Sequence, residues 1–178
     1  MQKHGEGPIF KNTKTFGSAA GDGNCLISSL LQGLLKVQLL PQDLRIRAEV
    51  RRCRAALVAL PAEHPLRPVQ RDLRTNRIMA DATTAEHNQA YLQFDLHAAW
   101  IVKHCLQWHR RRVPQGGLRC KCYSRFDDVL GAAESVTLVS DVLAVSEDAE
   151  NPVEMAVYNW TGEDFHGVHY DPVYIENV

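Results

Sequence analysis

The sequence lacks several features that would place it in a special class of protein. It has no apolar run near the ~20 residues that span a bilayer, and its first 20 residues contain no apolar core of a secretory signal. Its five cysteines are an odd number, which predicts free thiols in a reducing compartment and hence a cytoplasmic protein. With 45% hydrophobic and 23% charged residues, the composition excludes a wholly disordered or collagen-like chain.

Net charge is also nearly absent, but the two signs are separated along the chain. The 20 basic and 21 acidic residues give a net charge of −1. Residues 1–125 hold all 20 basic residues and 9 acidic ones, a net of +11. Residues 126–178 hold 12 acidic residues and no Lys or Arg, a net of −12. This polarity predicts charged partners without identifying them.

The chain divides into a polar beginning, a helical middle and a strand-like end. Residues 1–16 are polar and aperiodic, which predicts a loose N-terminal lead-in, and residues 17–178 have the length of a single domain. Apolar, β-branched runs separated by turn residues predict three strands, over residues 136–145, 153–158 and 168–175. Helices first and strands last predict an α+β fold, with helices packed on a small C-terminal sheet.

Three helices are predicted from apolar residues at helical spacing. The first is about a dozen residues long and begins at Cys25. Pro41 and Asp43 mark the start of the second helix. The third helix is long and runs from Thr83 toward Arg112. The predicted apolar stripe is Ile46, Val50, Cys53, Leu57 and Leu60 in the second helix, and Leu92, Leu96, Ala99, Val102 and Leu106 in the third. The arginines of the second helix, which are Arg45, Arg47, Arg51, Arg52 and Arg54, fall outside its stripe.

The first helix follows the glycine-rich turn Gly21-Asp22-Gly23-Asn24, and its first residue is Cys25. A free cysteine thiol has a pKa of ~8.5, and the N–H groups and dipole of a helix N-terminus stabilise the reactive thiolate form. The backbone N–H groups of Gly23, Asn24 and Cys25 are also offered to a developing oxyanion. The sequence therefore makes Cys25 the candidate nucleophile.

A thiol nucleophile needs a general base, which is most often a histidine. Of the eight histidines, His169 stands in a strand-like run with a carboxylate two residues later. The strand period of two places His169 and Asp171 on the same face, where Asp171 can accept the imidazole N–H and orient the ring. His166 lies in the preceding turn and has no comparable carboxylate.

Two segments of the chain resemble the motifs of one enzyme family. Gly21-Asp22-Gly23-Asn24-Cys25-Leu26 resembles the nucleophile motif of the ovarian-tumour (OTU) family of cysteine proteases. Gly167-Val168-His169-Tyr170-Asp171-Pro172-Val173 resembles the C-terminal histidine motif of that family. The resemblance covers about 13 residues, in the family's order and with a domain's length between them.

The resemblance implies a papain-like OTU fold with a mostly antiparallel sheet, and a protease that removes ubiquitin or a ubiquitin-like modifier from lysines. It implies that Cys25 is the nucleophile, His169 the general base and Asp171 the group that orients it. It also places Asp22 in the loop that shapes the oxyanion site. No metal or organic cofactor is implied.

The implied partner is ubiquitin or a polyubiquitin chain, with a ubiquitin-like modifier as the other candidate. Because the C-terminal tail of ubiquitin carries arginines, Glu163 and Asp164 just before the histidine motif are predicted to contact it. We expect a monomer with no membrane or nucleic-acid partner. A divergent stand-alone domain would suit a viral or bacterial protein that acts in the cytoplasm of a host cell.

Other interpretations of the same residues stay open. The chain could be an inactive ubiquitin-binding module, or a papain-like peptidase or amidase with another substrate, since Cys-His-Asp chemistry is shared. Residues 103–125 hold seven basic residues and no acidic one, which fits a phosphate-binding surface or, the reading we favour, a solvated basic face. Cys120-Lys121-Cys122 with His104 and His109 matches no common zinc spacing, so we expect no metal.

Overall fold

The computed structural model describes residues 14–17, 19, 24–67, 92–123, 134–139, 151–160 and 169–175. Within them lie three helices, α1 (Cys25–Lys36), α2 (Ile46–Val58) and α3 (Phe94–Trp108). The described strands are β1 (Lys14–Phe16), β2 (Leu118–Tyr123), β3 (Glu134–Leu138), β4 (Val153–Trp160) and β5 (His169–Ile175). The predicted α+β class is confirmed. Among the helices named here, none has the length and apolarity needed to cross a membrane.

The described strands form one sheet in the order β1-β5-β4-β2-β3. Neighbouring strands are antiparallel except β2 and β4, which run parallel, so the prediction of a mostly antiparallel sheet is confirmed. The sheet is not wholly C-terminal, because β2 comes from the basic stretch and β1 from the end of the predicted lead-in. β1 pairs with the outer edge of β5, with Lys14 opposite Ile175. Three residues are too few to give a periodic signal, which is why the sequence predicted a loose segment there.

The parallel pairing of β2 with β4 joins the two oppositely charged parts of the chain. Arg119 and Lys121 of β2 lie 3.5 and 3.4 Å from the carboxylate of Glu154 in β4. The alternate residues of β2, Cys120 and Cys122, are buried in the core. This alternation is that of a half-buried strand, and its partly exposed ion pairs contribute at most about 1 kcal/mol each.

Helix α1 lies at the centre of the core and packs against β4 and β5 as well as α2 and α3. All its apolar residues except Leu35, which is partly buried, lie in the core, because α1 packs against both the sheet and the other two helices. Gly33 permits the close approach to the sheet, since a Cβ atom at that position would lie 2.7 Å from the Cε of Met155 in β4. A Cβ atom there would displace the end of the flexible Met155 side chain, and glycine avoids this at a helix-propensity cost of about 1 kcal/mol relative to alanine.

Helices α2 and α3 begin later than the sequence predicted, and the buried face of α3 differs from the predicted stripe. α2 begins at Ile46, since residues 41–45 form a turn in which the N–H of Leu44 donates to the carbonyl of Pro41. The first part of the predicted third helix lies outside the described residues, and α3 begins at Phe94. Its predicted stripe is wrong at Leu96, which is 47% exposed. The buried face is instead centred on Phe94, Ala98, Ile101 and Cys105, together with Val102 and Leu106 of the predicted stripe.

Polar and aromatic side chains join α2 to the C-terminal half of α3. The Nη1 of Arg52 lies 2.8 Å from His104 Nε2, and its Cζ lies 4.2 Å from the centroid of the Trp108 ring. Glu49 binds Arg52 and also lies 3.1 Å from His109 Nε2. Both histidines that the sequence placed near the cysteine pair are therefore engaged with α2. Across the described ranges, no group of three or more His, Cys, Asp or Glu residues could hold a metal ion.

Candidate active site

The candidate nucleophile begins the central helix. Cys25 is the first residue of α1, and Asn24 before it has the non-helical backbone of an N-cap residue, with φ −106° and ψ 13°. The first N–H groups of a helix have no intrahelical partner, and the helix dipole makes this end positive. Only 4% of the surface of Cys25 is exposed. The thiol therefore lies at a positive helix end with little water around it.

Strand β5 begins beside this thiol and supplies the histidine. The backbone N–H of Tyr170 donates a hydrogen bond to Cys25 Sγ at 3.4 Å, which fixes the start of β5 against the start of α1. The ring of His169 also makes a hydrogen bond with the Cys25 thiol. The structure thus brings together the two residues that the sequence predicted as nucleophile and base.

Asp171 lies on the other side of the imidazole ring. His169 Nε2 is 3.0 Å from Asp171 Oδ1, and both residues are buried. The same Oδ1 accepts a hydrogen bond from the backbone N–H of Ala19 at 2.9 Å, so a second segment holds the carboxylate in place. Because Nε2 is committed to Asp171, Nδ1 is the ring nitrogen left to exchange a proton with Cys25.

His169 is more basic than a free imidazole. Burial lowers its pKa, but the hydrogen bonds to Asp171 and Cys25 and the negative charges of those groups outweigh this and raise the pKa of His169 to about 9. The ring therefore favours the imidazolium form at neutral pH. An imidazolium beside a cysteine is the environment in which a thiolate is stabilised.

Two aromatic residues of β4 lie across the sheet from this pair. Trp160 is opposite His169, and Tyr158 is opposite Asp171. Opposite residues of an antiparallel pair project from the same face. Both aromatic side chains are buried, and their rings meet edge to face with centroids 4.5 Å apart. The hydrogen bond between His169 and Asp171 is itself buried, and burial strengthens it because its charges are less screened.

The cysteines of α2, α3 and β2 are core residues. A hydrogen bond from Cys53 and burial raise the pKa of Cys105 well above its usual range. Burial raises the pKa of Cys120 to about 12. All five thiols are free, but these two stay protonated at neutral pH. Cys25 is the thiol that the structure places against a histidine.

The structure adds a buried arginine that the sequence prediction left outside the helix stripe. Arg54 of α2 is 2% exposed, and its Nε donates a hydrogen bond to Asn24 Oδ1 at 2.5 Å. The position of Arg54 in the sequence of α2 could have predicted that it is buried. Arg54 comes four residues after Val50 and three before Leu57, so it lies on the same face of α2 as both.

Tyr170 links α3 to the site. Its hydroxyl accepts a hydrogen bond from the backbone N–H of Phe94 at 3.0 Å, which satisfies a first-turn donor of α3 that has no intrahelical partner. The backbone N–H of the same residue binds Cys25. One residue of β5 therefore fixes the starts of both α1 and α3.

We expect Tyr170→Phe to lower the free energy of unfolding by about 1–3 kcal/mol, because it leaves the buried N–H of Phe94 without an acceptor. Urea denaturation measures the change. Tyr174→Phe is the matched control, since its hydroxyl donates to Gln32 in a partly buried position that water can reach. Equal losses in both variants would contradict the role of Tyr170 at the start of α3.

Four of the predicted site residues lie outside the described residues. They are Asp22 and Gly23 of the glycine-rich turn, and Glu163 and Asp164 before the histidine motif. Their roles stay predictions. Of the predicted residues that the structure describes, Cys25, His169 and Asp171 lie in one connected set of contacts with Tyr170 and Ala19. Asn24 precedes Cys25 in the chain and binds Arg54.

No protein-family model matches the chain, and no curated protein matches it. Among solved structures, the chain is similar to an OTU deubiquitinase from Wolbachia pipientis wMel bound to ubiquitin. Sequence identity is 15%, the match covers 91% of this chain and 96% of that one, and the TM-score is 0.43.

Proposed function

We propose that this chain is an OTU-type cysteine deubiquitinase, which hydrolyses isopeptide bonds after the C-terminal glycine of ubiquitin or a ubiquitin-like modifier. The observation that carries the proposal is the contact of Cys25, at the start of α1, with His169, whose other ring nitrogen binds Asp171. These are the three elements of thiol-based acyl transfer: nucleophile, base and orienting group. The two motif segments around these residues support ubiquitin as the substrate.

The acylation step follows from this geometry. The Cys25 thiolate attacks the carbonyl carbon of the modifier's last glycine and forms a C–S bond. Peptide N–H groups at the start of α1 stabilise the negative charge that develops on the carbonyl oxygen. The imidazolium of His169 gives its proton to the lysine nitrogen, the C–N bond breaks, and the target leaves as a free amine. A thioester between Cys25 and the modifier remains.

Hydrolysis of the thioester runs through the same residues. His169, now neutral, takes a proton from a water molecule, whose oxygen attacks the thioester carbonyl. The C–S bond breaks and the thiolate and imidazolium pair is restored, while the modifier leaves as a carboxylic acid that releases its proton to solvent. Asp171 keeps its charge and holds the ring in the same orientation in both steps.

The direct test is hydrolysis by the purified chain. We expect release of the fluorophore from ubiquitin that carries a C-terminal fluorogenic amide, and cleavage of at least one linkage in a panel of diubiquitins. Folded protein that cleaves neither ubiquitin nor ubiquitin-like substrates would contradict the proposal. Tight binding of ubiquitin without cleavage would favour the inactive module instead.

A further inference from the structure

The contact between Arg54 and Asn24 has an unusual location for a cation. The guanidinium is buried, and it binds the side chain of the residue that precedes α1. A positive charge near a helix N-terminus is unfavourable, because that end of the helix dipole is also positive. A buried charge must also be paired and hydrogen-bonded to be tolerated. The hydrogen bond to Asn24 helps to satisfy this buried charge.

The contact also changes what Asn24 does. Asparagine is among the best N-cap residues, because its side-chain oxygen accepts a hydrogen bond from the second or third N–H group of the helix. Within the described residues, Asn24 makes no such side-chain cap on α1. Its Oδ1 instead accepts the hydrogen bond from Arg54. The N–H groups of Leu26 and Ile27 are therefore not covered by the Asn24 side chain.

We propose that Arg54 is a positioning residue that holds the Asn24 side chain away from the N-terminus of α1. This keeps the first-turn N–H groups available to the negative charge of the reaction, on the thiolate and on the developing oxyanion. The inference rests on the proposed function for its catalytic consequence. The diversion of Asn24 by Arg54 is a property of the folded chain and is testable without a substrate.

Two features make this arrangement suitable for catalysis. The charge of Arg54 is fixed by burial and by its hydrogen bond, so it needs no reorganisation when negative charge develops nearby. Arg54 is on α2 and Asn24 precedes α1, so the contact also fixes the two helices relative to each other at the site. A purely structural contact would give only the second effect.

The test compares Arg54→Met with the double variant Arg54→Met/Asn24→Ala. Methionine keeps an apolar stem of similar length, and replacing a buried charge by an apolar residue is often neutral or stabilising. We expect Arg54→Met to fold, with a melting temperature no lower than wild type. In this variant Asn24 is released to cap α1. Amide hydrogen exchange at Leu26 and Ile27 should therefore slow, and it should speed up again in the double variant.

The catalytic readout is separate. For hydrolysis of a ubiquitin C-terminal amide, we expect kcat of Arg54→Met to fall about 10- to 100-fold while KM stays nearly constant. The double variant should turn over faster than Arg54→Met, because the competing cap is gone. Arg54→Lys should retain intermediate turnover, since it keeps the charge but not the geometry of the Nε contact.

The outcomes separate the two proposals. An inactive wild-type chain with slowed exchange in Arg54→Met would overturn the proposed function and leave the Asn24 diversion standing. Unchanged exchange at Leu26 and Ile27 in Arg54→Met would overturn the diversion. If the wild type is active, turnover of the double variant no faster than that of Arg54→Met would overturn the catalytic role of Arg54.

Discussion

The Cys25→Ala variant is expected to lose hydrolysis of ubiquitin amides by at least about 10,000-fold. Without the Cys25 thiolate, the C–S bond of the acyl intermediate cannot form. Alanine has high helix propensity, and Cys25 is the first residue of α1, so the fold should persist. The rate of fluorophore release measures the loss, and thermal unfolding verifies the fold.

Cys120→Ala is the matched control for this experiment. Cys120 is also a free and buried cysteine, but it lies in β2 and its pKa is raised to about 12 by burial. This variant should hydrolyse ubiquitin amides at the wild-type rate. Equal losses in the two variants would indicate damage to the core rather than loss of a nucleophile. Substantial activity in Cys25→Ala would contradict a thiol mechanism.

The second large effect is expected at Asp171. Asp171→Ala removes the acceptor for His169 Nε2 and for the N–H of Ala19, so the imidazole loses its orientation. We expect kcat/KM to fall about 10,000- to 30,000-fold, the loss seen when the orienting carboxylate of a triad is removed. Asp171→Asn should be milder. Both hydrogen bonds end on Oδ1, and an amide oxygen at that position can accept both.

The two substitutions at Asp171 separate geometry from charge through their pH dependence. The pKa of His169 is raised to about 9, and the hydrogen bond and charge of Asp171 are among the causes. Since the imidazolium must give a proton to the leaving amine, wild-type activity should fall as the pH rises through about 9. Loss of the Asp171 charge lowers that pKa, so in Asp171→Asn the fall should begin at lower pH. An unchanged alkaline limb would contradict the contribution of Asp171 to the basicity of His169.

The sequence predicted those parts of the site whose signals are local. A glycine-rich turn followed by helical spacing predicted that α1 begins at Cys25, and α1 has the predicted length of about a dozen residues. The strand period of two placed His169 and Asp171 on one face, and the two side chains are in contact. Each of these inferences needed only neighbouring residues.

The parts that the sequence did not predict depend on contacts between distant segments. Arg54 meets Asn24 across 30 residues, and Tyr170 meets Phe94 across 76. Neither contact can be predicted from the residues next to it in the sequence. The helical spacing within α2 does predict that Arg54 is buried, but not what it binds. The parallel pairing of β2 with β4 also depends on a crossover whose direction local periodicity does not encode.

The charge asymmetry of the chain has a partial structural explanation. Where β2 meets β4, basic side chains of the first part lie beside Glu154 of the second. The arginines that follow α3, Arg110, Arg111 and Arg112, are exposed. The separation of charge along the chain therefore provides ion pairs between β2 and β4. It also leaves an exposed basic surface after α3.

A labelling experiment can show whether Cys25 is the thiol that attacks the C-terminal carbonyl of a modifier. Ubiquitin with an electrophile in place of its C-terminal carboxylate is incubated with the wild-type chain, and the modified residue is mapped by mass spectrometry. We expect a single adduct at Cys25, its absence in Cys25→Ala and its persistence in Cys120→Ala. An adduct on another cysteine, or no adduct on folded wild-type protein, would contradict it.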